Sequence, residues 1–320
     1  MRSAIGVALL AAIVAAAQPP GAEISNRSLK LKLLLPDRDR GFYRGTRFDW
    51  SGQIASLVYK GHEYFGIWFP KYDPLLHDAI LGPVEEFVKG DSSIGYDEAG
   101  VGDSFLRIGV GMVRRQDAGP YQRFTTYPII NHGTWTLRPY PDKFEFVHEL
   151  KDSSGYGYKY EKTLRLEGGK PTLIIEHALE NTGRKPLETS QYNHNFFVVD
   201  KQPTGPDFRV VFPFELKSER DLGELATVEG NRLVYKRTLQ PGESAFTQLT
   251  GFGATAKDFD IRIENTKVKA GVRIRGDRPI EKIVYWSIHT TLCPEPYIAI
   301  KAAPGETVKW RLRYDFYKLR

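Results

Sequence analysis

Three short stretches of this chain carry residue types suited to moving protons. They are Ser190-Gln191-Tyr192-Asn193-His194-Asn195-Phe196-Phe197, Asn131-His132-Gly133-Thr134-Trp135 and Pro294-Glu295-Pro296-Tyr297. An imidazole has an unperturbed pKa of about 6.5, so it can give or take a proton near neutrality. A carboxylate can serve as its partner in general acid–base work. Prolines on both sides of Glu295 restrict the backbone and predict a stiff loop. The sequence around His194 predicts a strand that continues through Val198 and Val199 to Asp200. Alternation along it places Tyr192, His194 and Phe196 on one face and Asn193, Asn195 and Phe197 on the other. Taken singly, each stretch also has a plainer reading. His194 reads as a core histidine with a satisfied hydrogen bond, His132 as a turn histidine beside Gly133, and Glu295 as a solvated loop carboxylate.

Other chemistries find less support. The seven histidines, His62, His77, His132, His148, His177, His194 and His289, show no His-x-x-x-His spacing, and Cys293 is the single cysteine. No zinc-type cluster is therefore expected. There is no G-x-S-x-G elbow, phosphate-cradling loop or dinucleotide fingerprint, and no metal or cofactor is expected. Glu85 or Glu86 with Asp97 or Asp103 would make a glycosidase pair, but that requires a defined separation across a sugar, which sequence does not measure. The net charge of +6 arises from 45 basic and 39 acidic residues, mostly intermixed, so a nucleic-acid partner is not supported. Cys293 lies two residues from Glu295 and is read as a bystander, because a neighbouring carboxylate disfavours a thiolate.

The positioning elements are strands. Leu29, Leu31, Leu33 and Leu35 alternate with Ser28, Lys30 and Lys32. Phe144, Phe146 and Leu150 share a face with His148, and Leu173, Ile175 and Leu179 share one with His177; both histidines are read as structural. Val308, Trp310, Leu312, Tyr314 and Phe316 alternate with polar residues after the turn Pro304-Gly305-Glu306. Helix signals are scarce, so an all-β, antiparallel single domain is expected. Residues 71–100 are the least strand-like and predict a long excursion over one face, with a short helix near Glu85. At the start, Met1-Arg2-Ser3 is followed by an apolar run from Ala4 to Ala17 and by Gln18-Pro19-Pro20. The run is shorter than the about 20 residues of a membrane span and carries an A-x-A-like pattern at Ala15 and Ala17. It reads as a secretory signal peptide over residues 1–22, leaving a domain over 23–320 that is secreted or periplasmic, with no membrane association after cleavage.

From about Gly52 onward, the order of motifs resembles the galactose mutarotase-like (aldose 1-epimerase) superfamily. The residues that carry the resemblance are Gly52-Gln53-Ile54-Ala55-Ser56-Leu57, His132-Gly133 with Trp135, Asn193-His194-Asn195-Phe196-Phe197, Glu295 and Pro304-Gly305-Glu306. The resemblance implies a large β-supersandwich and a sugar as the small-molecule partner. It implies interconversion of sugar anomers by ring opening and closure, with Glu295 as base, His194 as acid and His132 holding developing charge. The family's arginine-containing sugar-binding motif is not recognisable. Arg47 and Arg44, with Glu86, Asn193 and Trp135, are the substrate-binding candidates in its place. A catalytically inert carbohydrate-binding supersandwich is the alternative reading.

Overall fold

The computed structural model describes residues 18–320; the apolar run expected to be a signal peptide lies outside the described residues. The first strand, Gly21–Ser25, begins two residues ahead of the boundary drawn from sequence. Alternation becomes strand almost everywhere. In Thr307–Lys318, Trp310, Leu312, Tyr314 and Phe316 are buried while Lys309 and Arg311 face water. Leu29–Leu34 buries Leu29, Leu31 and Leu33 in the same way. Among the described residues the only helical segments are two three-residue 3-10 turns, and none is long and apolar enough to cross a membrane.

Two antiparallel sheets make the body. A ten-stranded sheet has Thr307–Lys318 near its centre, between Ala270–Gly276 and Thr172–Asn181, with Gly157–Leu166 beyond the latter. A six-stranded sheet runs, in spatial order, Lys217–Ser218, Ser244–Thr250, Lys282–Ile288, Thr291–Ala302, Leu187–His194 and Val84–Val88. Their facing surfaces share one core, in which Ile283, Tyr285, Ile298 and Ile300 meet Ile175, Leu312 and Tyr314. The opposite face of the six-stranded sheet carries Phe246, Gln248, Lys282, Val284, Trp286, Glu295, Tyr297, Tyr192, His194 and Glu86. It is the face that becomes the floor of the cleft described below.

Three local expectations are corrected. The segment around Glu85 is the edge strand Val84–Val88, not a helix. Its period was masked because both faces carry a glutamate. Glu85 points inward to Lys162 and His177, and Glu86 points outward to Arg47 and Arg123. Second, the strand bearing His194 stops there instead of running to Asp200. Phe196 turns into the left-handed region at φ 42°, and Asn195 is pinned by donating to Pro294 O and accepting from Tyr314 Oη. Third, Glu295 lies inside the strand Thr291–Ala302, not on a loop. The ladder to the His194 strand ends at Tyr192↔Tyr297, so Pro294 and Pro296 sit beyond it, where a missing N–H costs no ladder bond. His148 and His177 are packed as expected. His148 stacks on Trp135 at 4.2 Å and His177 on Trp310 at 4.7 Å.

Between the sheets lies a fully buried ion cluster. Lys162 Nζ donates to Glu85, to Ser51 O at 2.8 Å and to Asp49 at 3.4 Å. Burial would raise the Glu85 carboxyl, but Lys162 and His177 outweigh it and hold the group well below its usual range. Asp49, with the weaker share of Lys162, is pushed up by burial to about 6. Glu85 also accepts from Asn193 Nδ2 at 2.8 Å, so the cluster fixes the back of the His194 strand. Removing the cation leaves buried carboxylates uncompensated. Lys162→Met is expected to lose about 3–5 kcal/mol in urea unfolding, the usual result of breaking a buried pair. A loss below about 1 kcal/mol would mean the cluster is solvated.

Candidate active site

The outer face of the six-stranded sheet is a lattice whose rows follow from strand register. Gln248 pairs with Val284, and Val284 with Glu295; His194 stands opposite Glu295, two residues beyond the Tyr192↔Tyr297 pair. The next row along the strands is Lys282, Tyr297, Tyr192 and Glu86. The row on the other side places Phe246 beside Trp286 and Trp286 beside Cys293. Loops bearing Arg47, Trp68, His77, Asp78, Arg123 and Phe124 rise over this floor and enclose a cavity of about 570 Å³.

His194 Nε2 and Glu295 Oε1 are 3.2 Å apart, and both side chains are almost wholly buried. The imidazole stacks on Phe196 at 3.7 Å and meets the edges of Phe48 and Trp286, so its plane is fixed. Its Nδ1 is buried with no partner among the described residues, which further disfavours an imidazolium. Burial first, and then the Arg47 guanidinium, hold the His194 pKa well below the ordinary histidine value. Burial pushes Glu295 up to about 8, against the pull of Arg47 and Arg123. Because the two groups touch, they titrate as a pair, and near neutrality that pair carries one proton. Both shifts favour Glu295 as the holder of that proton.

In the next row of the same face, Glu86 is completely buried and is grasped by arginines from the loops. Arg47 Nε donates to it at 2.9 Å, and Arg123 donates through Nε and Nη2 at 2.9 and 2.8 Å. Arg107 approaches to 3.7 Å, and the Tyr192 hydroxyl donates to the same carboxylate. Burial would raise Glu86, but the guanidiniums of Arg47, Arg123 and Arg107 outweigh it and keep the group ionised. The geometry of the arginines is thereby set before any ligand arrives.

The cleft brings together Glu295, His194 and Arg47 of the residues singled out from sequence, with Glu86 in the next row. It does not include the others. His132 packs against Trp50 and gives its carbonyl to His148 Nε2, and Trp135 covers His148; both stand on the ten-stranded sheet's side of the molecule. Asn193 faces inward to Glu85, as strand alternation requires. Arg44 is held beside Pro74 and does not line the cavity. The second histidine of the cleft is His77, in ring contact with Phe124 at 4.8 Å and with Nε2 3.5 Å from Asp78. Burial lowers its pKa, so it stays neutral. Sequence reading also missed Arg123, Lys282, Gln248 and Trp68. Lys282 and Trp286 had a signal: they alternate with the buried Ile283 and Tyr285, which puts them on the Glu295 face. His77, Arg123 and Trp68 come from loops and had none. Cys293 is fully buried on the same face, its Sγ within 4.8 Å of a ring nitrogen of His194 and a carboxylate oxygen of Glu295, and burial pushes its thiol up.

No family model matches the sequence, and no curated protein matches it. The fold has many counterparts among solved structures. The Slr1438 protein from Synechocystis sp. PCC 6803 superposes with a TM-score of 0.59 at 11% identity, over 97% of this chain and 100% of that one. The GalM/aldose epimerase homologue from C. elegans gives 0.57 at 15% identity, over 94% and 99%. A galactose mutarotase-like protein from Lactobacillus casei gives 0.56 at 13% identity, over 93% and 100%. These likenesses establish a fold, and identities this low carry no function with them.

Proposed function

We propose that this chain, which has the galactose mutarotase-like fold, is an aldose 1-epimerase-like isomerase that interconverts the anomers of a sugar. The observation that carries the reading is the contact of His194 with Glu295, at 3.2 Å on the floor of a walled cavity. Anomers interconvert when the ring opens, turns about the C1–C2 bond and closes. In opening, a base takes the proton from the anomeric hydroxyl, the C1–O5 bond breaks, and an acid gives a proton to O5. In closing, O5 loses its proton and attacks C1 from the other face, and O1 is reprotonated. Each step needs one acid and one base, and neither is consumed.

The pair meets that requirement with a single proton between two groups. As base, Glu295 works from the form in which His194 holds the proton. The form with the proton on Glu295 has the same proton count, so both appear at the same pH. Each group is expected to contribute about 10²–10⁴-fold. His77, neutral and on the cavity wall, is the residue we assign to holding charge on the sugar, in place of His132. Arg47, which like His77 packs on Phe124, orients hydroxyls, and Trp68 and Trp286 line the cavity beside the sugar's C–H surface. We also propose that the chain acts outside the cytoplasm, on the strength of its apolar N-terminal run.

Polarimetry of freshly dissolved α-galactose and α-glucose is expected to show acceleration by the wild type. Glu295→Gln keeps shape and hydrogen bonding but removes the proton exchange, and a fall of about 10²–10⁴-fold is expected. His194→Asn is expected to do the same, and the double variant to fall little further, since the two act as a unit. Sugar binding without any acceleration by the wild type would leave an inert carbohydrate-binding protein. A second expectation concerns pH. Glu295 is raised to about 8, so the pair keeps its proton below that value and loses it above. The kcat/KM should stay level toward neutrality and fall about tenfold per unit above pH 8. A rate that climbs through pH 8 would contradict the one-proton pair.

A further inference from the structure

The cleft holds more fixed positive charge than the pair needs. Three guanidiniums, Arg47, Arg107 and Arg123, surround the single carboxylate of Glu86. Arg107 spends its remaining donors inside the protein, on the carbonyls of Thr46, Arg47 and Phe87 and on Ser93 Oγ. Arg123 keeps one nitrogen in reserve: Nε and Nη2 serve Glu86, Tyr192 and Tyr297, but its side chain is 35% exposed, it lines the cavity, and its Nη1 has no partner among the described residues. Lys282, exposed at the same wall, lies with Nζ over the Tyr297 ring at 4.3 Å and has no carboxylate partner among the described residues. The acidic groups facing the cavity do not cancel this excess. Glu86 is already shared, Asp78 faces His77, and Asp91 is solvated on the turn between Lys89 and Ser92.

Register gives the excess a position. Lys282 and Tyr297 form the row next to the row of Glu295 and His194, two residues along each strand. That separation is about 7 Å at a strand's rise per residue. In a pyranose the acid must meet O5, and O5 is bonded to C5, which bears the exocyclic C6. A charged group on C6 therefore projects from the reacting edge toward a neighbouring row. We propose that the cleft selects an anionic sugar, with Lys282 and Arg123 receiving a carboxylate or phosphate carried on C6. The proposal rests on the anomer-interconverting reading of the same site. Two cations beside an anion give charge-assisted hydrogen bonds, about twice as strong as neutral ones. A neutral hexose would leave Lys282 without a counter-charge and Arg123 with an unused Nη1.

The test compares each charged sugar with an uncharged counterpart of the same skeleton: galacturonic acid with its methyl ester, and glucose 6-phosphate with glucose. In the wild type, kcat/KM for one charged sugar is expected to exceed that of its counterpart by about tenfold or more, the size of one hydrogen bond to a charged group. Which arm shows the excess tells carboxylate from phosphate. The advantage should lie in KM and shrink with added salt. Lys282→Gln, on an exposed side chain that the fold does not need, should bring the ratio to within about threefold of unity, and Lys282→Arg should restore most of it. Equal handling of charged and uncharged sugars would overturn the proposal and leave the anomer reading standing. If no sugar is accelerated, calorimetric binding decides: galacturonate or glucose 6-phosphate bound more tightly than its counterpart upholds charge selection while ending the enzyme reading. No such preference ends both.

Discussion

A carboxyl group and an imidazole pressed together in a dry floor cannot both carry charge cheaply. Desolvation raises Glu295 and lowers His194, and both shifts favour neutral forms. The pair is left with one proton, which both shifts place on Glu295 until a substrate moves it. That condition depends on burial, and burial depends on Trp286 and Phe196 beside the pair and on the loops bearing Arg47, Trp68 and His77 above it. A cleft open enough to hydrate Glu295 would return it toward an ordinary carboxylate, and the pair would lose its acid near neutrality.

The two adjacent glutamates of the edge strand show how a sheet serves a core and a site at once. Glu85 looks inward and locks Asn193 and His177 to Lys162, which holds the back of the His194 strand against the ten-stranded sheet. Glu86 looks outward and organises Arg47 and Arg123. Rigidity on one face and charge placement on the other thus come from neighbouring positions, because a strand alternates its side chains. The Tyr192 hydroxyl completes the second set by donating to Glu86 and accepting from both arginines.

The sandwich was legible because its strands alternate plainly, as in Thr307–Lys318 and Leu29–Leu34. His194 and Glu295 were legible as well, one from its aromatic strand and the other from its prolines. What failed was whatever depended on long-range closure. His132 sits beside a glycine in a suggestive motif, yet its hairpin packs on another part of the molecule. His77 has no local pattern and enters the cleft only because its loop folds over the floor. Val84–Val88 hid its strand because charges on both faces erased the apolar period, and the partners of those charges lie far along the chain.

The proton itself is the most direct thing to measure. Infrared difference spectra of wild type minus Glu295→Gln, taken across a pH titration without substrate, isolate the Glu295 carboxyl. A Glu295 that holds the pair's proton gives a protonated carboxyl band at pH 6 that yields to carboxylate as pH passes about 8. A carboxylate band already present at pH 6, with His194 titrating as an imidazolium, would contradict it.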